Sequence, residues 1–325
     1  MTRVLWLTPD KPADISVGRR RIADHLEQSG FEVTLRGTTA RVVFRSLRER
    51  DRYDVVVGTT RIGAIAGIAV QFAGGPPLIV DHIDPIRQFA LNNSAPLTWA
   101  VRVAETVAFR LSAATLFVYE EERPRVERQA PRAIRTALGV EYDRFASPAP
   151  AVIEQARMRL AGTINGRIAV YVGGLEPIYN VETMLDAIDF LEGWDLLIIG
   201  TGSLVDEVEQ RAADRSCVHY IGTVPHEEIP GYLAAADVGV SLVDDPHTLK
   251  VLEYGAAGLP TVQLEGYARR RFGDRVEYCE DDPTSVAAAI ERAVDRDPSP
   301  LREMAASFDW SAIAETYASV ITSVK

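Results

Sequence analysis

The chain has 325 residues, a net charge of −11, 47% hydrophobic and 25% charged residues, an ordinary composition for a folded protein long enough for two domains. A peptide, a small disulfide scaffold, a collagenous chain and a disordered tail are excluded. The charge is uneven: residues 1–150 carry 21 Lys and Arg against 17 Asp and Glu, whereas residues 151–325 carry 14 against 29, so the two halves are expected to meet different partners.

Short runs rich in Val, Ile and Leu alternate with longer stretches of helical period, the pattern of βαβ units around parallel sheets. In the first half, strands are predicted at 3–7, 32–35, 55–57, 78–80 and 116–119, and helices at 19–29, 42–50, 63–72 and 97–112. The first apolar run is too short for an export signal and leads at once into Thr8, Pro9 and Asp10, so a cytoplasmic protein is expected. The polar loop 8–19 brings Gly18 before a helix whose N-terminus could receive an anion. Residues 62–80 are rich in Ala and Gly and broken at Gly74, Gly75, Pro76 and Pro77; they read as a helix, a turn and a strand rather than a membrane span. The strand at 78–80 delivers Asp81, His82, Ile83 and Asp84 to the carboxyl edge of its sheet, where ligands of such sheets bind. Asp81 reads as a turn cap.

Two stretches of the first half combine basic and apolar residues. Arg41, Arg45, Arg48, Arg50 and Arg52 accompany Val42, Val43, Phe44 and Leu47, and Arg102 and Arg110 lie beside Trp99, Val103, Val107 and Phe109. Each reads either as a solvated face over ordinary core packing or as a surface for an anionic membrane. Nucleic acid is not expected, because no stacking aromatics interleave a basic groove pattern.

A proline-marked segment at 147–150 precedes the second set of elements. Its strands are predicted at 168–172, 196–199, 218–221, 238–242 and 261–263, its helices at 181–191, 204–213, 227–235, 249–257 and 284–294, and a last helix at 311–324 stands apart. The fold class is thus α/β, with two Rossmann-like doubly wound domains. After the strand at 196–199 comes Gly200-Thr201-Gly202-Ser203, but Val205 stands where a dinucleotide fingerprint has its third glycine, which argues against hydride transfer. Cys217 and Cys279 have no metal or redox spacing and read as buried thiols. The most informative stretch is SLVDDPHTLKVLEYGAAGLPTV at 241–262. A strand ends, two carboxylates and a proline turn, and a helix is expected to start near His247 with Lys250 and Glu253 one turn apart. Lys250 is the only lysine between residues 12 and 324.

These residues resemble the donor-nucleotide motif of the group 1 (family 4) glycosyltransferases of the GT-B fold. The family's Glu-x7-Glu corresponds to Asp245 and Glu253, and its Ala-x-Gly-x-Pro-Val to Ala256 through Val262. GVEYDRFASPA at 139–149, VGGLEPIYNVETML at 172–185, IGTVPHEEIPGYLAAADVGV at 221–240 and FDWSAIAETYASVI at 308–321 are similar to further segments of the family.

The resemblance implies an acceptor-binding domain at 1–150, a donor-binding domain at 151–307, an interdomain cleft and a helix at 308–325 crossing back to the first domain. It implies transfer of a hexose or related sugar, with retention, from a nucleotide-sugar to a lipid-linked or glycan acceptor at the cytoplasmic membrane face. Neither a cofactor nor a metal is expected. Gly18, Gly173, Gly174, Gly202, Val224, Asp245, Thr248, Leu249, Lys250 and Glu253 are the expected donor-binding residues, and His82 and then Asp84 the expected catalytic ones. One departure stands out: the family's diphosphate-binding Arg and Lys correspond to Gly174 and Tyr179. Lys250, the helix start at 247–249 and Arg269 to Arg271 are the groups left to replace them. A catalytically silent partner subunit and a sugar-nucleotide 2-epimerase of the same fold remain as alternatives.

Overall fold

The computed structural model describes residues 1–9, 15–91, 93–164 and 166–325. Part of the predicted loop 8–19 thereby lies outside the described residues. The chain divides into two compact units, Met1–Gly139 with Trp310–Lys325, and Val140–Asp309.

Unit 1 contains strands β1 (Thr2–Leu7), β2 (Phe31–Arg36), β3 (Val55–Thr59), β4 (Leu78–His82), β5 (Ala114–Phe117) and β6 (Ala133–Arg135). They pair in parallel in the order β2-β1-β3-β4-β5-β6. Its helices are α1 (Ile15–Gln28), α2 (Ala40–Arg48), α3 (Thr60–Phe72), α4 (Ile86–Leu91), α5 (Ala95–Leu111) and α6 (Arg123–Gln129). The chain's last helix, Trp310–Val324, completes one face of this sheet: Ile313, Tyr317 and Ile321 are buried with Val4, Trp6, Ile22 and Leu26. The central strands β3 and β4 carry unbroken Val, Ile and Leu at 55–57 and 78–80 because both faces are covered. Gly18 lies within α1 rather than ahead of it, facing the Trp310 indole, which a Cβ would meet at 2.9 Å. Its absent side chain therefore serves helix packing instead of an anion site.

Unit 2 begins before the proline-marked segment 147–150. Pro150 opens a helix, because its fixed φ and missing N–H suit a first helical turn. The helices here are α7 (Tyr142–Ala146), α8 (Pro150–Leu160), α9 (Val181–Ala187), α10 (Val205–Asp214), α11 (Ile229–Leu233), α12 (Lys250–Ala256), α13 (Arg269–Phe272), α14 (Pro283–Ala293) and α15 (Ser299–Ala306), so Trp310–Val324 is α16. The strands are β7 (Arg167–Gly174), β8 (Trp194–Thr201), β9 (Val218–Gly222), β10 (Val238–Ser241), β11 (Thr261–Leu264) and β12 (Glu277–Cys279). They run in the order β12-β11-β10-β7-β8-β9, which is the Rossmann order 3-2-1-4-5-6 read from the other edge. Both cysteines are free, and only Cys279 is fully buried.

Candidate active site

Strand order reverses in unit 2 between β7 and β10, the place where open α/β sheets bind ligands. The two strands pair only at Ala169–Val238 and Val170–Gly239. Beyond that pairing the Tyr254 hydroxyl bridges them, accepting from Val172 N at 3.0 Å and donating to Val240 O at 3.4 Å. At the end of β7, Gly173 has φ +154°, and a Cβ there would lie 2.7 Å from Lys250 Nζ. Only glycine suits both the backbone and the approach.

Lys250 is the first residue of α12, and the helix starts here rather than near His247. Asp245 explains the delay. Its Oδ1 accepts from His247 N at 2.8 Å and its carbonyl from Thr248 N at 3.2 Å, an Asx turn that occupies residues a longer helix would use. Thr248 is buried, and Leu249 is half-buried against the core cluster of unit 2 that contains Ile199, Val251 and Leu252. Lys250 Nζ donates to the Tyr171 hydroxyl at 3.1 Å and lies 4.5 and 4.1 Å from the ring centres of Tyr171 and Tyr179. Burial lowers its pKa to about 8, with Glu253 opposing. One turn on, Glu253 Oε1 meets His226 Nε2 at 3.2 Å. Val224, two residues before His226, packs partly buried on the same core cluster as Leu249.

Gly174 also faces Tyr179, whose ring a Cβ would meet at 3.0 Å. Gly202 approaches the Leu175 backbone so closely that no side chain fits. The arginines of 269–271 are all engaged: Arg269 pairs with Glu265 at 2.9 Å, Arg270 lies over Tyr267, and Arg271 donates to Pro246 O at 2.6 Å.

In unit 1, Asp81 is no turn cap but the penultimate residue of β4, fully buried. It accepts from Arg19 Nε at 2.8 Å and Nη2 at 3.1 Å, from Thr59 Oγ1 at 2.7 Å and from the Tyr317 hydroxyl at 2.7 Å. A buried carboxylate persists only with such partners. His82 is also buried, edge-on to Phe109, with Nε2 at 3.1 Å from Glu122 Oε2. Burial alone would raise the Glu122 pKa, yet His82, Ile86 N and Arg125 bring it down to about 2. Arg125 continues to Glu105 at 2.6 Å, and Glu105 to Arg61 at 2.7 Å. Arg61 reaches Asp84 Oδ2 at 3.5 Å and donates to the carbonyls of Asp84 and Pro85. The Asp84 side chain is 26% exposed, and burial raises its pKa against the pull of Arg61. The structure thus brings His82 and Asp84 into one ionic chain, with the open end at Asp84.

The neighbouring helices α3 and α5 leave apolar side chains in solvent: Phe72 is 72% exposed and Trp99 69%, with Ile65, Val103 and Val107 also exposed. On α2, Phe44 is exposed beneath Arg48. Among the described residues, no helix is long and apolar enough to cross a membrane, and no group of three His, Cys, Asp or Glu could hold a metal ion.

Residues 166–296 match the family model described as glycosyl transferases group 1. No curated protein matches the chain. Among solved structures, Anabaena HepE in complex with UDP superposes with a TM-score of 0.78 at 17% identity, covering 99% of this chain and 100% of that one. HepE is also known with UDP-glucose. Sucrose-phosphate synthase from Thermosynechococcus elongatus gives 0.77 at 16% identity, covering 99% of each chain. WaaG, a glycosyltransferase involved in lipopolysaccharide biosynthesis, gives 0.67 at 16%, covering 98% of this chain and 99% of its own.

Proposed function

We propose, for a chain whose residues 166–296 match the family model of the group 1 glycosyltransferases and which has the GT-B fold, that it transfers a hexose or related sugar from a UDP-linked donor to an acceptor hydroxyl, with retention. The observation that carries this reading is the pair Lys250 and Glu253, one helical turn apart at the strand-order reversal of unit 2. Departure of a nucleoside diphosphate concentrates negative charge on its outer phosphate, and a preorganised cation meets that charge best. Lys250 is that cation, and Glu253 accepts the ribose hydroxyls. Gly173, Gly174, Gly202, Val224, Asp245, Thr248 and Leu249 are assigned to the walls and turns of the same subsite. No metal or cofactor is assigned, since the lysine supplies the charge.

Unit 1 is assigned the acceptor. Asp84, accessible and with a raised pKa, orients the acceptor hydroxyl, and His82 acts through Glu122 as a positioning residue for the loop that carries Asp84. The acceptor class is a lipid-linked saccharide or glycan at the cytoplasmic face of the membrane. The exposed aromatics of α2, α3 and α5 support peripheral attachment to anionic lipid. A second reading, a donor-binding partner without turnover, is favoured by one observation: Gly174 and Tyr179 stand where the family carries cations.

The test is incubation of the protein with membranes and a panel of labelled nucleotide sugars. Label from a UDP-sugar is expected in the lipid extract, and Lys250→Ala abolishes it. Tight UDP binding with no transfer selects the second reading, and no binding of any nucleotide overturns both.

A further inference from the structure

The Lys250 ammonium is enclosed by two aromatic rings that no motif announces. Tyr171 sits in β7 with no exposed surface, and its hydroxyl has two jobs. It accepts from Lys250 Nζ at 3.1 Å and donates to Gly174 O at 2.6 Å, so one relay fixes both the cation and the end of the strand. Tyr179 closes the other side with its ring centre 4.1 Å from Nζ, a distance at which the ring face attracts a cation.

Its position is fixed in turn by the next residue. Asn180 adopts φ 49°, ψ 43°, and its Nδ2 donates to Leu242 O at 3.0 Å. Leu242 follows β10 directly and opens the loop leading to Lys250. Ring and ammonium are therefore tethered to the same stretch of chain.

We propose that Tyr171 and Tyr179 are positioning residues for the donor diphosphate, holding the Lys250 ammonium in one place so that a single fixed lysine stands in for the two cations that correspond to Gly174 and Tyr179. The proposal rests on the donor-site reading above. Geometry here substitutes for charge: an exposed lysine must be ordered when the anion arrives, whereas this one is ordered beforehand.

The chain contains only three lysines, Lys11, Lys250 and Lys325, which makes a direct test practical. Protein carrying 15N-labelled lysine is expected to show one ammonium signal that exchanges slowly with water and is shifted by ring currents. Lys250→Ala removes that signal. Tyr171→Phe, which keeps the ring and the packing, moves the signal and lowers the pH at which it titrates, because the ammonium loses its hydroxyl acceptor. Tyr179→Leu removes the ring shift, and Tyr179→Phe restores it. UDP affinity by calorimetry is expected to fall about tenfold in Tyr171→Phe and Tyr179→Leu and to recover in Tyr179→Phe.

Three ammonium signals alike in shift and exchange, or wild-type UDP affinity in both Tyr171→Phe and Tyr179→Leu while Lys250→Ala loses it, overturn the positioning role and leave the donor site standing. A fixed, ring-shifted ammonium whose loss in Lys250→Ala leaves UDP affinity unchanged overturns the donor-site reading, and with it the proposal.

Discussion

His226 Nε2 lies 3.2 Å from Glu253 Oε1 while its Nδ1 faces Arg144 Nη1 at 3.1 Å, and Arg144 is itself paired with Glu141. The hydrogen bond to Glu253 and its charge raise the imidazole pKa above the usual value, against burial and Arg144. The charged imidazole is thus present below that raised value, where it grips the carboxylate assigned to the ribose. UDP affinity is expected to decline as the pH falls through it. His226→Ala removes this acid limb, measurable by calorimetry between pH 5.5 and 8 (about the range in which imidazoles titrate).

Lys250 sets the opposite limb. With a pKa of about 8, its ammonium is present below that pH and lost above it, so UDP affinity is expected to fall as the pH rises past 8. Lys250→Ala is expected to cost about 2–5 kcal/mol of binding and to leave the alkaline side of the profile flat. A profile unchanged by the substitution removes Lys250 from the diphosphate.

Asp84 and His82 separate by kinetics. Asp84→Asn is expected to lower turnover about a hundredfold with UDP affinity intact. His82→Ala leaves the buried Glu122 short of a partner and is expected to cost unit 1 about 1–3 kcal/mol of stability, read from urea unfolding. Turnover lost in His82→Ala at unchanged stability reverses the two roles.

The Asp81 cluster is the ionic anchor of unit 1. Asp81→Asn leaves Arg19 buried without its counter-charge, and breaking such a pair typically costs about 3–5 kcal/mol. Tyr317→Phe keeps the stack on Trp6, at 5.4 Å between ring centres, and is expected to cost about 1.5–3 kcal/mol for a hydrogen bond to a charged group. Thermal unfolding of the two variants checks the order.

Membrane attachment is expected to depend on ring burial. Phe72→Ser with Trp99→Ser removes two side chains worth roughly 1.5–3 kcal/mol each when buried, so binding to anionic vesicles in a sedimentation assay is expected to fall more than tenfold. Unchanged sedimentation places attachment elsewhere.

The sequence made the parallel strands legible because β1, β3, β4, β7 and β8 each hold a run of buried apolar residues rich in Val, Ile and Leu. β6 and β12 escaped it: each is three residues at a sheet edge, Ala-Ile-Arg and Glu-Tyr-Cys, too short and mixed to show a period. Lys250 and Glu253 could be found because their spacing is local. Tyr171 lies 79 positions from the lysine it contacts, and an aromatic in a buried strand looks like ordinary core. His226 carried a weak signal, a histidine in the segment 221–240 that resembles the family. Gly18 and Asp81 misled for one reason: glycine and aspartate at the end of a strand or the start of a helix read as turn chemistry, and only the partner across the fold, Trp310 or Arg19, shows otherwise.

Because α16 supplies Tyr317 and Ile321 to the core of unit 1, the order of synthesis matters. Unit 1 is interrupted at Gly139 and resumes at Trp310, and all of unit 2 is translated in between. At roughly 5–20 residues per second, that delay is about 10–35 s. During it the Asp81 carboxylate lacks one of its donors and the α1 face lacks its cover, so the nascent first unit waits half-built while the second is being made. A ribosome paused within unit 2 therefore displays an apolar sheet face, and chaperone demand should concentrate on the oldest part of the chain rather than the newest.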